Sequence, residues 1–196
     1  RLLQRAGVRM YAVSRNLVEE LAQLGVEAEL LPFVNRELRD SARPLPPAFR
    51  LIAYVPTGRE SLFRFSDVEE VARRMPDVPV TIFPNTRGST LGNVTCIGRL
   101  EHAKVLDTLN GHDVYLRLTK HDGLPNTVLE ALSCARHVVW SFPHPCCIHA
   151  SSVDEVVGHL RRLRDERGLN TAGRDYVLKT YAVEAMRELY RRVWGW

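Results

Sequence analysis

Long apolar runs are missing from this chain. No stretch approaches the roughly 18 consecutive apolar residues a membrane-spanning helix needs, so nothing in it crosses a bilayer that way. Cysteine is scarce: the four residues are Cys96, Cys134, Cys146 and Cys147. No secretory-leader pattern accompanies them, which argues against a disulfide-stapled secreted scaffold and for reduced, mostly buried thiols in a cytosolic protein. Charge of one sign is not in large excess, since 27 Lys+Arg against 23 Asp+Glu leave a net charge of +4. That is weaker than a dedicated nucleic-acid binder shows, so no nucleic-acid partner is expected. Mildly basic character suits phosphate ligands or an anionic membrane surface and selects neither. Repeats and low-complexity tracts are also lacking. What remains is 45% hydrophobic and 26% charged residues over 196 positions. These are globular averages, on a chain long enough to bury roughly 70% of its unfolded surface. The first residues, Arg1-Leu2-Leu3, lack an initiator Met and read as the end of a helix, as in a cut made inside a longer protein.

Short β-branched runs alternate with amphipathic runs of helical period. Val8 to Val13 reads as a strand. Ser14 then caps a helix with apolar face Leu17, Val18, Leu21 and Leu24, stopped by Gly25. Val26 to Phe33 reads as a second strand, and Asn35 to Phe49, with Pro44, Pro46 and Pro47, as a linker between domains. Beyond it the predicted strands are Arg50 to Val55, Pro79 to Phe83, Asn93 to Ile97, Val114 to Leu118 and His137 to Ser141. The predicted helices start at capping boxes Ser66–Glu69 and Ser152–Glu155, and cover His102 to Leu109, Asn126 to Ala135, Asn170 to Thr180 and Ala182 to Trp194. Such alternation predicts an α/β fold with a parallel sheet and helices on both faces. Ligands of such sheets bind beyond the carboxyl ends of the strands.

One loop in that position is rich in chemistry, Thr119-Lys120-His121-Asp122-Gly123-Leu124-Pro125-Asn126-Thr127-Val128-Leu129-Glu130-Ala131. Gly123 allows a tight turn with its backbone open to a ligand. Asn126 is a suitable N-cap, which would leave the N–H groups of Thr127, Val128 and Leu129 facing outward as an anion cradle. Acids flank the cradle on both sides, Asp122 and Glu130. A ligand with phosphate in its middle and hydroxyls at each end, such as a nucleotide sugar, has the complementary shape.

The stretch Asp122 to Glu130 resembles the acid-x7-acid signature of retaining glycosyltransferases of the two-Rossmann (GT-B) fold, including Gly123, Pro125 and the closing Leu-Glu-Ala. Cys96-Ile97-Gly98-Arg99-Leu100 resembles the strand and turn where the base sits in that family. Asp113-Val114-Tyr115-Leu116 resembles the strand before the signature, and Tyr11-Ala12-Val13-Ser14 with Gly25-Val26 resembles the last unit of the first domain. The resemblance implies a Rossmann-like C-terminal half of a GT-B fold, plus a partial βαβ unit from the first domain. Residues 1–34 would be the remnant of an N-terminal acceptor domain and 35–49 the linker. Residues 50–181 would be the donor-binding domain and 182–196 a helix crossing back.

Carried over by position, Asp122 would bind donor sugar hydroxyls, Glu130 the ribose, and the backbone from Leu124 to Val128 the sugar and diphosphate, with Lys120 beside them. Gly98 and Arg99 would lie at the base. Arg59 and Arg64, in Gly58-Arg59-Glu60-Ser61-Leu62-Phe63-Arg64, stand where the family keeps an Arg and a Lys on the diphosphate. Two departures are visible, Asp for Glu at the first acid and Arg for that Lys. Asp122, Arg59 and Arg64 are the expected catalytic residues. The implied mechanism uses fixed donors to stabilise charge growing on the leaving diphosphate, with neither a protein nucleophile nor a metal and no cofactor besides the nucleotide-diphospho sugar donor. The acceptor would be a glycan, lipid or small molecule, approached across the cleft from the protein's own N-terminal domain. A cytoplasmic location is implied, with peripheral attachment at the inner face of a membrane left open. Alternatives are a catalytically inactive nucleotide-binding regulatory or scaffold module and, more remotely, an epimerase or phosphorylase on the same fold.

Three further features read more plainly. His144-Pro145-Cys146-Cys147-Ile148-His149 lacks the paired spacing of a zinc site and reads as a structural loop. Arg161, Arg162, Arg164 and Arg167 read as a solvated helix face. His121 reads as an exposed loop histidine. If the family resemblance holds, residues 1–196 bind donor nucleotide weakly and transfer little sugar by themselves; full turnover by this chain in a transfer assay would overturn that expectation.

Overall fold

The computed structural model describes residues 6–32 and 38–195. The expected helix end at Arg1-Leu2-Leu3, the last residue of the second predicted strand (Phe33), the boundary at 34–35 and Trp196 lie outside them. The first unit is β1 (Tyr11–Ala12), α1 (Arg15–Gln23) and β2 (Glu29–Leu30), with the strands parallel. Each strand is shorter than its apolar run because it has a single hydrogen-bonding neighbour. Ser14 takes the N-cap place of α1, but its hydroxyl makes no cap bond. Gly25, at φ 70°, turns the chain out of the helix as expected.

The main body contains β3 (Leu51–Tyr54), α2 (Phe65–Arg74), β4 (Val80–Phe83), β5 (Val94–Cys96), α3 (His102–Asn110), β6 (Val114–Arg117) and α4 (Asn126–Ser133). It continues with β7 (His137–Trp140), β8 (Ile148–His149), α5 (Val153–Asp165), α6 (Thr171–Thr180) and α7 (Val183–Trp194). The six strands pair in parallel in the order β5-β4-β3-β6-β7-β8. Strand β8 escaped the sequence reading because two residues beside Pro143, Pro145 and a cysteine pair show no period.

Both faces of the sheet are covered, which is why its strands read as unbroken apolar runs. Leu51, Ala53, Val80, Val114 and Leu116 pack with Val68, Val71, Val156 and Leu160 from α2 and α5. On the other face Ile52, Tyr115 and Val138 pack with Leu109, Leu129, Leu132, Val177 and Met186 from α3, α4, α6 and α7. The strand order reverses between β3 and β6, and the loops leaving their carboxyl ends bound the crevice where ligands of such sheets bind.

Local signals worked where tertiary packing did not compete with them. The box at Ser152 forms: the Glu155 N–H donates to Ser152 Oγ at 3.2 Å and the Ser152 N–H to Glu155 Oε2 at 3.3 Å. The box expected at Ser66 does not form. Burial of Phe65 draws the helix start forward, so Arg64 holds the N-cap position and Ser66 already lies inside α2. Arg167, expected on a solvated helix face, falls beyond α5 and pairs with buried Asp113 at 2.7 Å while donating to the Pro46 and Pro47 carbonyls. It therefore ties the linker down. Asn110 and buried Arg136 do the same from another side, donating to the carbonyls of Ser41 and Arg43 at 2.8 and 2.7 Å. Helix α7 reaches back to the first unit, where the Tyr190 hydroxyl donates to the Pro32 carbonyl at 2.9 Å. Trp194, stacked beside Tyr190, stays 49% exposed.

Helix α4 ends in a Schellman motif: the Ala135 N–H donates to the Leu132 carbonyl and the Arg136 N–H to the Ala131 carbonyl. The residue forced left-handed there is Ala135, at φ 54°. Ala135→Gly should relieve a cost of roughly 1–2 kcal/mol and add back about 0.5–1 kcal/mol of unfolded-chain entropy. The lost Ala135 methyl is fully buried and removes a further ~0.8 kcal/mol, so we expect urea denaturation to place the variant within about 0.5 kcal/mol of the parent.

Candidate functional site at the carboxyl edge of the sheet

The loops after β3 and β6 are joined at the reversal point. The Lys120 N–H donates to the Leu62 carbonyl at 2.9 Å, and Lys120 Nζ to Ser61 Oγ at 3.2 Å. Gly58 is left-handed at φ 81°, a conformation that needs glycine there. Gly58, Arg59, Glu60, Ser61, Leu62 and Lys120 line a cavity of about 530 Å³. The Glu60 carboxyl is held below the usual carboxylate range by the backbone N–H groups of Glu60 and Gly58. The loop thus aims backbone donors at negative charge, here its own side chain.

Arg64 does not join Arg59 in this cavity. Its left-handed backbone turns the guanidinium to Asp67 at 2.6 Å, with further bonds to Ser141 Oγ and the Ser151 carbonyl. It fastens the start of α2 to the loops beyond β7 and β8. The second cation beside Arg59 is Lys120, delivered by β6 rather than by the same loop.

A second cavity, about 570 Å³, lies over the ends of β3 and β4. Tyr54, Phe83, Arg99, His102, Thr127 and Glu130 contribute to its walls. Glu130 enters from the first turns of α4 and is only 3% exposed. Its Oε1 lies 3.6 Å from His102 Nδ1. Thr127 is oriented by the Tyr115 hydroxyl, 2.8 Å away, whose pKa burial pushes up to about 12. Arg99 stands exposed at the rim. Gly98 has ordinary backbone angles, and a Cβ there would meet only Thr86 Cγ2 at 3.6 Å, so its small size is not demanded by strain.

Asp122 lines neither cavity. Arg117, on β6, holds both its oxygens: Nε to Oδ2 at 2.7 Å and Nη2 to Oδ1 at 3.0 Å. The side chains are 7% and 10% exposed. The guanidinium also lies over the rings of Tyr54 and Phe63, 4.5 and 4.8 Å from their centroids. Burial works against the Arg117 charge, but Tyr115 and Asp122 more than offset it and hold its pKa above the ordinary arginine value. Sequence reasoning missed Arg117. The available signal was a lone cation inside an apolar strand, with an acid five residues on.

Other residues of the signature also differ from expectation. Gly123 is not left-handed, and a Cβ on it would meet Val13 Cγ2 at 3.1 Å and Leu17 Cδ1 at 3.3 Å. Its bareness makes room for the first unit rather than for a ligand. Asn16 Nδ2 adds to that contact by donating to the Asp122 carbonyl at 2.6 Å, and His121 lies 3.4 Å from Glu20. Asn126 is not the N-cap but the first residue of α4. Pro125 holds the cap position, and its carbonyl accepts from the Val128 and Leu129 N–H groups at 3.0 and 3.5 Å. Those two donors are turned inward, which leaves the cradle narrower than expected. Leu124 faces a third cavity beside the first unit, and the Val128 side chain is fully buried. Among the described residues, no three His, Cys, Asp or Glu side chains come together in a way that could hold a metal ion.

This sheet order and crevice define an α/β protein of the Rossmann-like kind. No protein-family model and no curated protein sequence matches the chain. Solved structures do. The pneumococcal O-GlcNAc transferase GtfA, solved with UDP and GlcNAc, superimposes with TM-score 0.66 at 15% identity over 97% of this chain and 45% of that one. The lipopolysaccharide outer core galactosyltransferase WaaB gives 0.72 at 14% over 93% and 60%. The C-terminal domain of the group 1 glycosyl transferase LpcC of Francisella tularensis gives 0.53 at 11% over 71% and 89%. The fold is that of the Rossmann-like half of a GT-B glycosyltransferase, and the chain spans about half the length of GtfA and WaaB.

The buried pair makes a sharp prediction. Arg117→Met leaves an uncompensated buried carboxylate and should cost about 3–5 kcal/mol. The double variant Arg117→Met/Asp122→Leu should recover most of that loss in urea denaturation, and a double variant as unstable as the single would contradict this account.

Proposed function

We propose that the crevice binds a nucleotide-diphospho sugar and serves transfer of its glycosyl group, with retention, to an acceptor hydroxyl brought by the rest of a longer protein. The observation that carries this reading is the division of the carboxyl edge into two hollows of opposite character. One carries two cations, Arg59 and Lys120, against one acid, Glu60, whose carboxylate occupies the backbone donors of the 58–60 loop where a diphosphate oxygen would take its place. The other is partly apolar and holds one buried acid, Glu130. A diphosphate suits the first, and a base and ribose suit the second, with Glu130 accepting from ribose hydroxyls and Tyr54 and Phe83 against the base. Retention rests on the resemblance of the Asp122 to Glu130 stretch to the retaining signature, with Asp122 serving the turn rather than the sugar.

Negative charge grows on the leaving diphosphate as the glycosidic bond breaks. Arg59 and Lys120 favour that state over the ground state, helped by the amino end of α4. Arg64, turned to Asp67, has no part in it. Asp122 serves by fixing the turn before α4, so the sugar meets the backbone there. Four free cysteines suit a reducing, cytoplasmic setting, and no described helix is long and apolar enough to cross a membrane.

Calorimetric titration with nucleoside diphosphates and inorganic pyrophosphate tests the assignment. Arg59→Ala should weaken nucleoside diphosphates at least about tenfold, or 1.4 kcal/mol. Arg64→Ala should change affinity less than about twofold, a few tenths of a kcal/mol. Glu130→Gln should weaken nucleoside diphosphates while leaving pyrophosphate unchanged. Equal losses at Arg59 and Arg64, or no binding by the unmodified protein, would refute it.

A further inference from the structure

A third cavity, about 450 Å³, opens between the first unit and the loop after β7. Ser14 and Asn16 line it from one side, and Leu124, Trp140, His144 and Tyr176 from the other. Three of these residues carry a buried polar atom without a hydrogen-bond partner among the described residues: Ser14 Oγ, Trp140 Nε1 and His144 Nε2. Trp140 is 2% exposed, and buried polar groups of this kind are rarely left unmatched.

The chemistry of these atoms follows from their neighbours. His144 Nδ1 lies 3.2 Å from the Cys146 N–H and 3.5 Å from Cys147 Sγ. A backbone N–H can only donate, so Nδ1 accepts and the ring proton sits on Nε2. Burial pushes the His144 pKa down, which keeps the ring neutral. An indole nitrogen also only donates. Two unmatched neutral N–H donors therefore lie buried in one wall, and a hydroxyl lies buried in the facing wall. At the rim Arg15 and Glu19 cancel in charge. Aromatic rings supply flat apolar surface, with Tyr176 edge-on to His144 at 5.8 Å. Neutral donors, no net charge and aromatic walls match an uncharged ligand rich in oxygen acceptors and C–H faces.

We propose that this cavity is a subsite for a neutral saccharide, whose oxygens accept from Trp140 Nε1 and His144 Nε2 while its C–H faces pack against Tyr176. Contact with those two buried nitrogens requires the loop carrying the exposed Pro143 and Pro145 to move outward. If the glycosyl-transfer reading above holds, this is where the acceptor sugar rests. Leu124 of the 118–125 loop forms part of the wall, and Asn16, on the facing side, bonds to the Asp122 carbonyl in that same loop.

Two-dimensional NMR of the ¹⁵N-labelled chain reads this directly. The Trp140 indole N–H resonance is assigned with Trp140→Phe and followed against lactose, maltose and N,N′-diacetylchitobiose at millimolar concentrations. Acetate and inorganic phosphate are titrated as anion arms, and UDP separately. At least one disaccharide should move that resonance downfield and saturably. His144→Phe should weaken the same disaccharide about fivefold or more, with UDP affinity unchanged. Tyr176→Leu serves as a second variant should His144→Phe not fold. No movement with any disaccharide, movement with anions alone, or unchanged saccharide affinity in the folded variant would overturn the proposal. Saccharide binding without UDP binding would uphold this subsite while removing the transfer reading.

Discussion

A guanidinium and a carboxylate, both almost stripped of water, meet where β6 ends, and most of the site is hung from that contact. Arg117 sits in a strand whose two faces are covered by helices, a place that tolerates a cation only when its charge is matched. Asp122 matches it by bringing the chain back after five residues, with two near-parallel hydrogen bonds. The stacking of Arg117 on Tyr54 and Phe63 extends the constraint to β3 and the loop that follows it. The two loops of the reversal point are thereby held as one body. Lys120, the turn at Gly123 and the start of α4 take their positions from it.

The parallel sheet supplies the rest of the arrangement. Because all six strands run the same way, every loop that leaves a carboxyl end opens on one edge. Cations arrive there on the loops after β3 and β6, the buried acid on α4, and the rim residues after β5. No single element carries the site, which is why opposite charges can occupy neighbouring hollows without cancelling in a direct pair.

The small β1-α1-β2 unit is more than an appendage to this edge. Val13 and Leu17 press against Gly123, Asn16 holds the Asp122 carbonyl, and α7 reaches back through Tyr190. These contacts tie that unit to the turn before α4, which borders the hollow beside Leu124.

The amino-acid sequence by itself determined the alternation of strands and helices, the parallel sheet, the Ser152 cap and the loop that would carry chemistry. These depend on local periodicity and on contacts within a few residues, so they survive in one dimension. Tertiary structure alone decided the direction of each charged side chain. Arg64 and Arg59 look equivalent on paper, yet one is drawn to Asp67 and the other faces a cavity. Asp122 reads as a ligand-facing acid until Arg117 is seen holding it. Gly123 reads as ligand room until Val13 and Leu17 fill it, and the Ser66 box loses to the burial of Phe65. In each case the deciding partner was selected by desolvation and packing in three dimensions, forces that residue spacing does not record.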